Sequence, residues 1–175
     1  MNTYETDTFV EELVVKRKGL LNLLLSLLFV VVAAVLAFAC FILLSAIFPA
    51  MLVILVVGAY LGIKFQGVEF EYSFTNGELD IDKIMAKRKR KTLVSVNYKQ
   101  ICVMAPYTAE YEGETKDYRV SEIIRAVSSK NSANQWFFIY EKQEGGYGFV
   151  VFQPSKRFRE AMRKYMHSRL KGMEA

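Results

Sequence analysis

Apolar residues follow three different patterns along the chain. From Gly19 to Ile63, 45 consecutive positions carry no Asp, Glu, Lys, Arg or His side chain. A run of 18 or more apolar residues is typical of a membrane-spanning helix. After Gly67 the pattern alternates with a period of two, and near the C-terminus it recurs with the 3.6-residue period of a helix. The sequence therefore predicts a membrane segment followed by a β-rich domain with a terminal helix.

The apolar run is long enough for two crossings. Its 45 residues would extend about 68 Å as a helix, about twice the 30 Å hydrocarbon thickness of a bilayer. A break is expected near Ser45 to Pro49, because proline is best tolerated at the start of a helix. We predict a helical hairpin over residues 19–65, with spans at about 20–44 and 49–65. A lead-in over 1–18 precedes it, and a domain over 66–175 follows.

Flanking cations predict the orientation of this hairpin. Three cations at 16–18 precede the first span, while Lys64 and the cluster Lys87–Lys91 follow the second. Positive residues stay on the cytoplasmic side, so we expect a multi-pass protein of the cell membrane with both ends cytoplasmic. A secretory signal is the rival interpretation, since residues 37–40 resemble a lipoprotein cleavage box. That interpretation fits poorly because the apolar run continues past Cys40.

Small and polar residues predict how the two helices pack. In an antiparallel hairpin Gly58 would lie level with Ser26, and Gly62 level with Asn22. The glycines allow close backbone approach, and the polar side chains can form interhelical hydrogen bonds. On this hypothesis Gly58→Leu separates the helices. The alternative use of the same patch is a contact between two copies of the chain or with another membrane protein.

The N-terminal residues favour a short interfacial lead-in, with a helix that runs into the membrane as the alternative. Thr8 and Glu11 have the spacing of a capping box. An apolar stripe is formed by Phe9, Val10, Leu13 and Val14.

The soluble segment reads as a series of short strands. Residues 68–75 alternate between apolar and polar, and Asn76-Gly77 then gives a strong hairpin signal because both residues accept positive φ. Leu79 and Ile81 are expected to face inward on the next strand. Further strands are predicted at 92–96, 101–105, 123–127, 135–141 and 148–152, and a helix opens at Pro154 or Ser155. About seven strands and a helix suggest a strongly bent sheet or partial barrel.

Several motifs resemble those of a known family. The chain resembles an uncharacterised family of small bacterial two-span membrane proteins. The resemblance is carried by the string from Glu71 to Ile84, a basic lead before paired spans, Met104-Ala105-Pro106 and Phe152-Gln153-Pro154. That resemblance implies a bacterial pleckstrin-homology-like (PH-like) domain over the mainly β segment. It implies no catalytic residues.

The basic clusters are the most distinctive polar feature. Five consecutive cations, Lys87, Arg88, Lys89, Arg90 and Lys91, should form a turn that returns toward the membrane, and Arg159 and Arg163 lie on the terminal helix. These residues are candidates for contacting anionic lipid or a protein partner. The alternatives are that they only set topology or only form a solvated turn. No motif for nucleic-acid recognition accompanies them.

Composition gives little support to catalysis. The chain has a net charge of +5, one His and two Cys, and the two cysteines lie in different solvents, so neither a disulfide framework nor a zinc site is predicted. We predict no cofactor and no catalytic or metal-binding residue. Asp80 and Asp82 share a strand face, which more often reflects cross-strand pairing with cations than chemistry. The acidic segment Glu110–Asp117 is expected to be a mobile loop or a docking surface.

These features predict a non-catalytic, membrane-anchored binding or scaffold module. Its PH-like domain would contact a protein partner or anionic lipid at the cytoplasmic face. The alternative function is an accessory or regulatory subunit of a membrane transport or envelope-synthesis complex, acting through the hairpin.

Overall fold

The computed structural model describes residues 8–44 and 46–172, and these form two compact units. The β-rich unit takes its described residues from three stretches, 8–16, 69–84 and 90–172. The helical unit contains the described residues of 17–68 together with 85–89. Ser45, where the predicted break begins, and the first seven residues of the predicted lead-in lie outside the described residues.

Residues 9–15 form a strand, so the helix considered as the alternative to an interfacial lead-in is wrong. Strand β1 (Phe9–Val15) pairs antiparallel with β2 (Val68–Thr75), from Phe9 opposite Thr75 to Val15 opposite Glu69. The spacing of the apolar residues fits either a helix or a strand. Pairing with β2 favours the strand because it buries Val10. Residues 9–15 therefore belong to the β-rich unit, and the helical hairpin is an insertion between two paired strands.

Within the described residues, eight strands form two four-stranded sheets, one strand more than predicted because of β1. The first sheet has the order β1-β2-β3-β4 and the second the order β5-β7-β8-β6. The Asn76-Gly77 turn between β2 and β3 has the expected positive φ values of 49° and 93°. The remaining bounds are β3 (Glu78–Met85), β4 (Lys89–Asn97), β5 (Ile101–Pro106), β6 (Val120–Ala126), β7 (Trp136–Glu141) and β8 (Tyr147–Phe152).

One aromatic core joins the first sheet, the second sheet and the C-terminal helix. The helix α3 is Lys156–Met166, and the Ser155 hydroxyl caps it by accepting a hydrogen bond from the Phe158 N–H at 3.2 Å. Phe158 is fully buried and packs edge-on against Tyr72, whose ring also meets Phe152. The predicted inward positions Leu79 and Ile81 are also fully buried. Burial of these side chains supplies the hydrophobic stabilisation of the unit.

A buried tyrosine hydroxyl links the two sheets. The Tyr72 O–H donates to the Ala126 carbonyl and accepts from the Gln153 N–H at 3.3 Å. Burial raises the pKa of the Tyr72 phenol, so the hydroxyl remains protonated and able to donate across the physiological range.

The helical unit consists of two apolar helices. Helix α1 (Leu20–Leu43) and helix α2 (Phe48–Lys64) end within one residue of the predicted bounds, and Pro49 lies in the first turn of α2. The rings of Phe41 and Phe48 meet at 5.3 Å beside the connection. By length and composition, α1 is able to cross a membrane, whereas α2, with 17 residues, is a shorter apolar helix.

The contact between α1 and α2 has a different register from the predicted one. A Cβ atom on Gly62 would lie 3.1 Å from the Phe29 ring, whereas one on Gly58 would meet nothing within 4 Å. The Ser26 hydroxyl donates to the Asn22 carbonyl of its own helix at 2.8 Å and to Gln66 Oε1 at 3.4 Å. The pairs Gly58 with Ser26 and Gly62 with Asn22 are therefore wrong, because the large Phe29 ring fills the groove at Gly62 and sets the register.

Gly62→Leu should separate the helices, while Gly58→Leu should not, because only Gly62 faces Phe29. We expect a short bismaleimide to crosslink Ser26→Cys to Gln66→Cys in a chain lacking Cys40 and Cys102. The yield should fall in the Gly62→Leu background and stay at the parent value with Gly58→Leu. A normal yield with Gly62→Leu would show that Phe29 does not set the register.

Tyr72→Phe should destabilise the β-rich unit by about 1–3 kcal/mol, because a buried carbonyl and a partly buried N–H lose a hydrogen-bond partner. Thermal melting of the full chain in detergent, followed by the fluorescence of Trp136, measures the loss. Tyr165→Phe is the matched control, since Tyr165 packs ring to ring against Phe74 and Tyr98. Equal melting temperatures for the two variants would contradict the proposed link between the sheets.

Candidate functional site

A group of exposed cations lies at one end of the helical unit. The turn between β3 and β4 places Ala86 and Lys87 at positive φ, 54° and 56°. The Ala86 N–H donates to the Gly67 carbonyl at 2.8 Å, and the Arg88 guanidinium lies 5.8 Å from the centre of the Phe65 ring. These contacts attach the turn to the C-terminal end of α2.

The start of α1 contributes to the same end, because Ser26 and Gln66 make contact there. We call the exposed cations of this end the basic collar, and it consists of Arg17, Lys18, Lys64, Lys87, Arg88 and Lys89. Six cations beside apolar helix ends form an arrangement that attracts anionic headgroups.

Arg90 behaves differently from its neighbours in the predicted cluster. It belongs to the β-rich unit, where its guanidinium lies 2.7 Å from a carboxylate oxygen of Glu71 and 3.5 Å from one of Asp82. Asp82 thus forms the cross-strand pair with a cation that the sequence favoured. The charge of Arg90 is largely compensated within the sheet. Lys91 is exposed on β4.

Arg159 and Arg163, the two arginines of α3 that are candidates for ligand binding, have different surroundings. Arg159 lies 4.7 Å from the centre of the Trp136 ring and donates to the Pro154 carbonyl at 3.2 Å. Burial lowers the pKa of Arg159, although Glu12 opposes that effect. The side chain therefore holds α3 on the second sheet. Arg163 is half-buried on the same helix. A ligand-binding role for either arginine stays a prediction.

An aromatic cleft was not predicted from the sequence. The second sheet is apolar on both faces: Phe138, Val150 and Phe152 face the aromatic core, while a separate buried cluster lies on the other face. That cluster consists of Val103, Ala105, Val127, Phe137, Ile139, Phe149 and Val151. The sequence did carry a signal for a sheet that is apolar on both faces. The residues of β7 and β8 form nearly unbroken apolar runs, which are typical of strands covered on both sides.

The acidic segment covers only part of this second apolar face. Residues Ala109–Thr115 form a 3-10 helix, and Tyr111 and Tyr118 pack against the apolar cluster. The segment expected to be a mobile loop thus packs on the sheet. An open cleft of about 590 Å³ remains beside it, lined by Tyr107, Thr108, Ala109, Thr115, Tyr118, Val120, Ile123, Phe137 and Phe149. Apolar walls with a few hydroxyl groups are typical of binding sites.

Within residues 8–44 and 46–172, no three His, Cys, Asp or Glu side chains are grouped to hold a metal ion. Cys40 and Cys102 are both free thiols.

Comparison with known proteins gives one match. The family model described as a bacterial PH-like domain, DUF6106, matches residues 6–172. A search of curated proteins and a search of solved structures found no match. The matched residues include β1, both apolar helices, both sheets and α3. The chain is therefore a member of the DUF6106 family of bacterial PH-like domain proteins.

Proposed function

We propose that this protein is a non-catalytic binding module anchored in the cell membrane by a two-span hairpin, with both ends cytoplasmic. The basic collar contacts anionic lipid headgroups, and the PH-like domain binds a protein partner. The observation that carries the proposal is the attachment of the Lys87–Lys89 turn to the end of α2 through Ala86 and Gly67.

The surface of the helices supports membrane insertion. None of the described residues of α1 or α2 is buried in the structure, and nearly all are apolar. A helix that is apolar on every side requires an apolar environment on every side, which lipid supplies. At 1.5 Å per residue, α1 would span about 36 Å and α2 about 26 Å, close to the hydrocarbon thickness of about 30 Å.

Strand pairing supports an even number of crossings. Val15 lies opposite Glu69 in the β1–β2 ladder, so the two ends of the inserted hairpin leave the same sheet side by side. A segment whose ends are fixed together cannot finish on opposite sides of a bilayer. With α1 long and apolar enough to span, we infer that the second apolar helix makes the return crossing.

Cysteine accessibility in intact cells tests this topology. Cys102 is a poor reporter because burial raises the pKa of its thiol, so single cysteines are placed in a chain lacking Cys40 and Cys102. We expect a membrane-impermeant maleimide to label Ile47→Cys from outside, but Arg17→Cys and Lys130→Cys only after permeabilisation. External labelling of Lys130→Cys would show that the orientation is the reverse of the proposed one. Labelling of Arg17→Cys and Lys130→Cys from opposite sides would exclude an even number of crossings.

The lipid contact is tested by neutralising the collar in the full-length chain. In nanodiscs, electron paramagnetic resonance compares spin-labelled phosphatidylglycerol with phosphatidylcholine at the protein surface. Replacement of Lys87, Arg88 and Lys89 by Gln should remove most of the preference for phosphatidylglycerol, because each cation contributes about 1 kcal/mol at low salt. Rising salt should weaken the preference of the parent chain.

The matched control removes the same charge elsewhere. Lys116, Arg119 and Lys130 are exposed residues of the β-rich unit, and their replacement by Gln should leave the lipid preference unchanged. An equal loss in both variants would mean that net charge, and not the position of the collar, attracts the lipid.

A further inference from the structure

The two outer strands of the second sheet, β5 and β6, differ in whether another segment of the chain pairs with them. At the β5 edge the C-terminal segment pairs in parallel, with the Met104 N–H donating to the Arg169 carbonyl and the Lys171 N–H donating to the Met104 carbonyl. The Arg169 guanidinium then donates to the carbonyls of Tyr98, Lys99 and Ile101 at 2.9–3.1 Å. The β5 edge is therefore covered by the chain itself.

The opposite edge, β6, is not covered by any strand within the described part of the chain. β6 pairs with β8 on one side and is the last strand of the sheet. The pairing is irregular between Val120 and Glu122, after which Ile123–Ala126 runs in regular register with β8. A regular edge strand presents outward N–H and C=O groups, and these accept another extended segment.

The side chains at this edge add an apolar site and a cation. Ile123 is 64% exposed and, with Val120, forms part of the cleft wall. Arg125, two residues further along the same strand face, lies 5.7 Å from the centre of the Tyr107 ring, which also lines the cleft. The neighbouring carboxylate of Glu122 is already held by Lys142 at 2.6 Å. An available cation therefore lies beside an aromatic cleft.

We propose that β6 and the aromatic cleft bind an extended segment of a partner protein. The segment adds as a strand to Ile123–Arg125, because the Ala126 carbonyl already accepts a hydrogen bond from the Tyr72 hydroxyl. It inserts one large apolar side chain into the cleft and places a carboxylate near Arg125. Backbone pairing would supply affinity, while the apolar and acidic side chains would supply specificity. This proposal rests on the proposed function only in assuming that the PH-like domain binds a protein, and it names the chemistry of that partner.

Peptide selection on the intact protein tests the proposal. A phage-displayed library of random octapeptides is panned on the full-length chain in nanodiscs, and the enriched peptides are synthesised. We expect a shared large apolar residue with Asp or Glu two positions away, since alternate residues of a strand share a face. Ile123→Lys should weaken binding by about tenfold or more. Leu13→Lys, at another exposed apolar position, on the edge strand β1, should not.

Two further measurements separate strand addition from simple hydrophobic adhesion. N-methylation of the peptide at alternate residues should abolish binding, while methylation at the intervening residues should preserve it, because only alternate amides face β6. Arg125→Glu should weaken binding, and a peptide with Lys in place of its acidic residue should restore it. Because Ile123 and Arg125 are exposed, unchanged melting of both variants is expected and verifies that they fold.

Several outcomes would overturn the proposal. These are the absence of an enriched peptide, binding that is insensitive to N-methylation, and equal losses with Ile123→Lys and Leu13→Lys. Self-association that Ile123→Lys abolishes would identify a second copy of the chain as the occupant instead. The lipid measurement uses the basic collar and not β6, so failure of the peptide experiment leaves the membrane proposal standing, and failure of the lipid experiment leaves this one standing.

Discussion

The pairing of β1 with β2 is the constraint on which the rest of the architecture depends. These strands are neighbours in the first sheet, yet the whole helical hairpin lies between them in sequence. Closing such a long connection costs little more entropy than closing a short one, because the cost rises only with the logarithm of length. The ladder from Phe9 to Val15 can therefore form, and it fixes both ends of the hairpin beside each other.

The helical hairpin is joined to the β-rich unit through both β1 and β2. The domain also depends on residues from both sides of the insertion. The Glu12 carboxylate accepts a hydrogen bond from the Ser155 N–H at the start of α3, at 2.9 Å, so an N-terminal strand helps to hold the C-terminal helix.

The second sheet provides the apolar surface at which binding is proposed. A sheet that is apolar on both faces must be covered on both faces, and α3 with the first sheet covers one of them. The short segment around Tyr111 and Tyr118 is too small to cover the other, and the aromatic cleft is what it leaves open. Val120 and Ile123 of the edge strand β6 also line the cleft, so apolar surface and a sheet edge meet at one place.

The sequence by itself determined the helices, most strands and the Asn76-Gly77 turn, because each depends on local periodicity or turn chemistry. The PH-like class came from the resemblance of its motifs to a known family. Residues 9–15 could not be assigned in this way, since their spacing fits a helix or a strand and only pairing with β2 distinguishes them. Arg90 looked like its neighbours along the chain, but the sheet placed Glu71 and Asp82 beside it. The helix register, the aromatic cleft and the uncovered β6 edge were likewise decided by tertiary structure, because each depends on which surfaces distant segments cover.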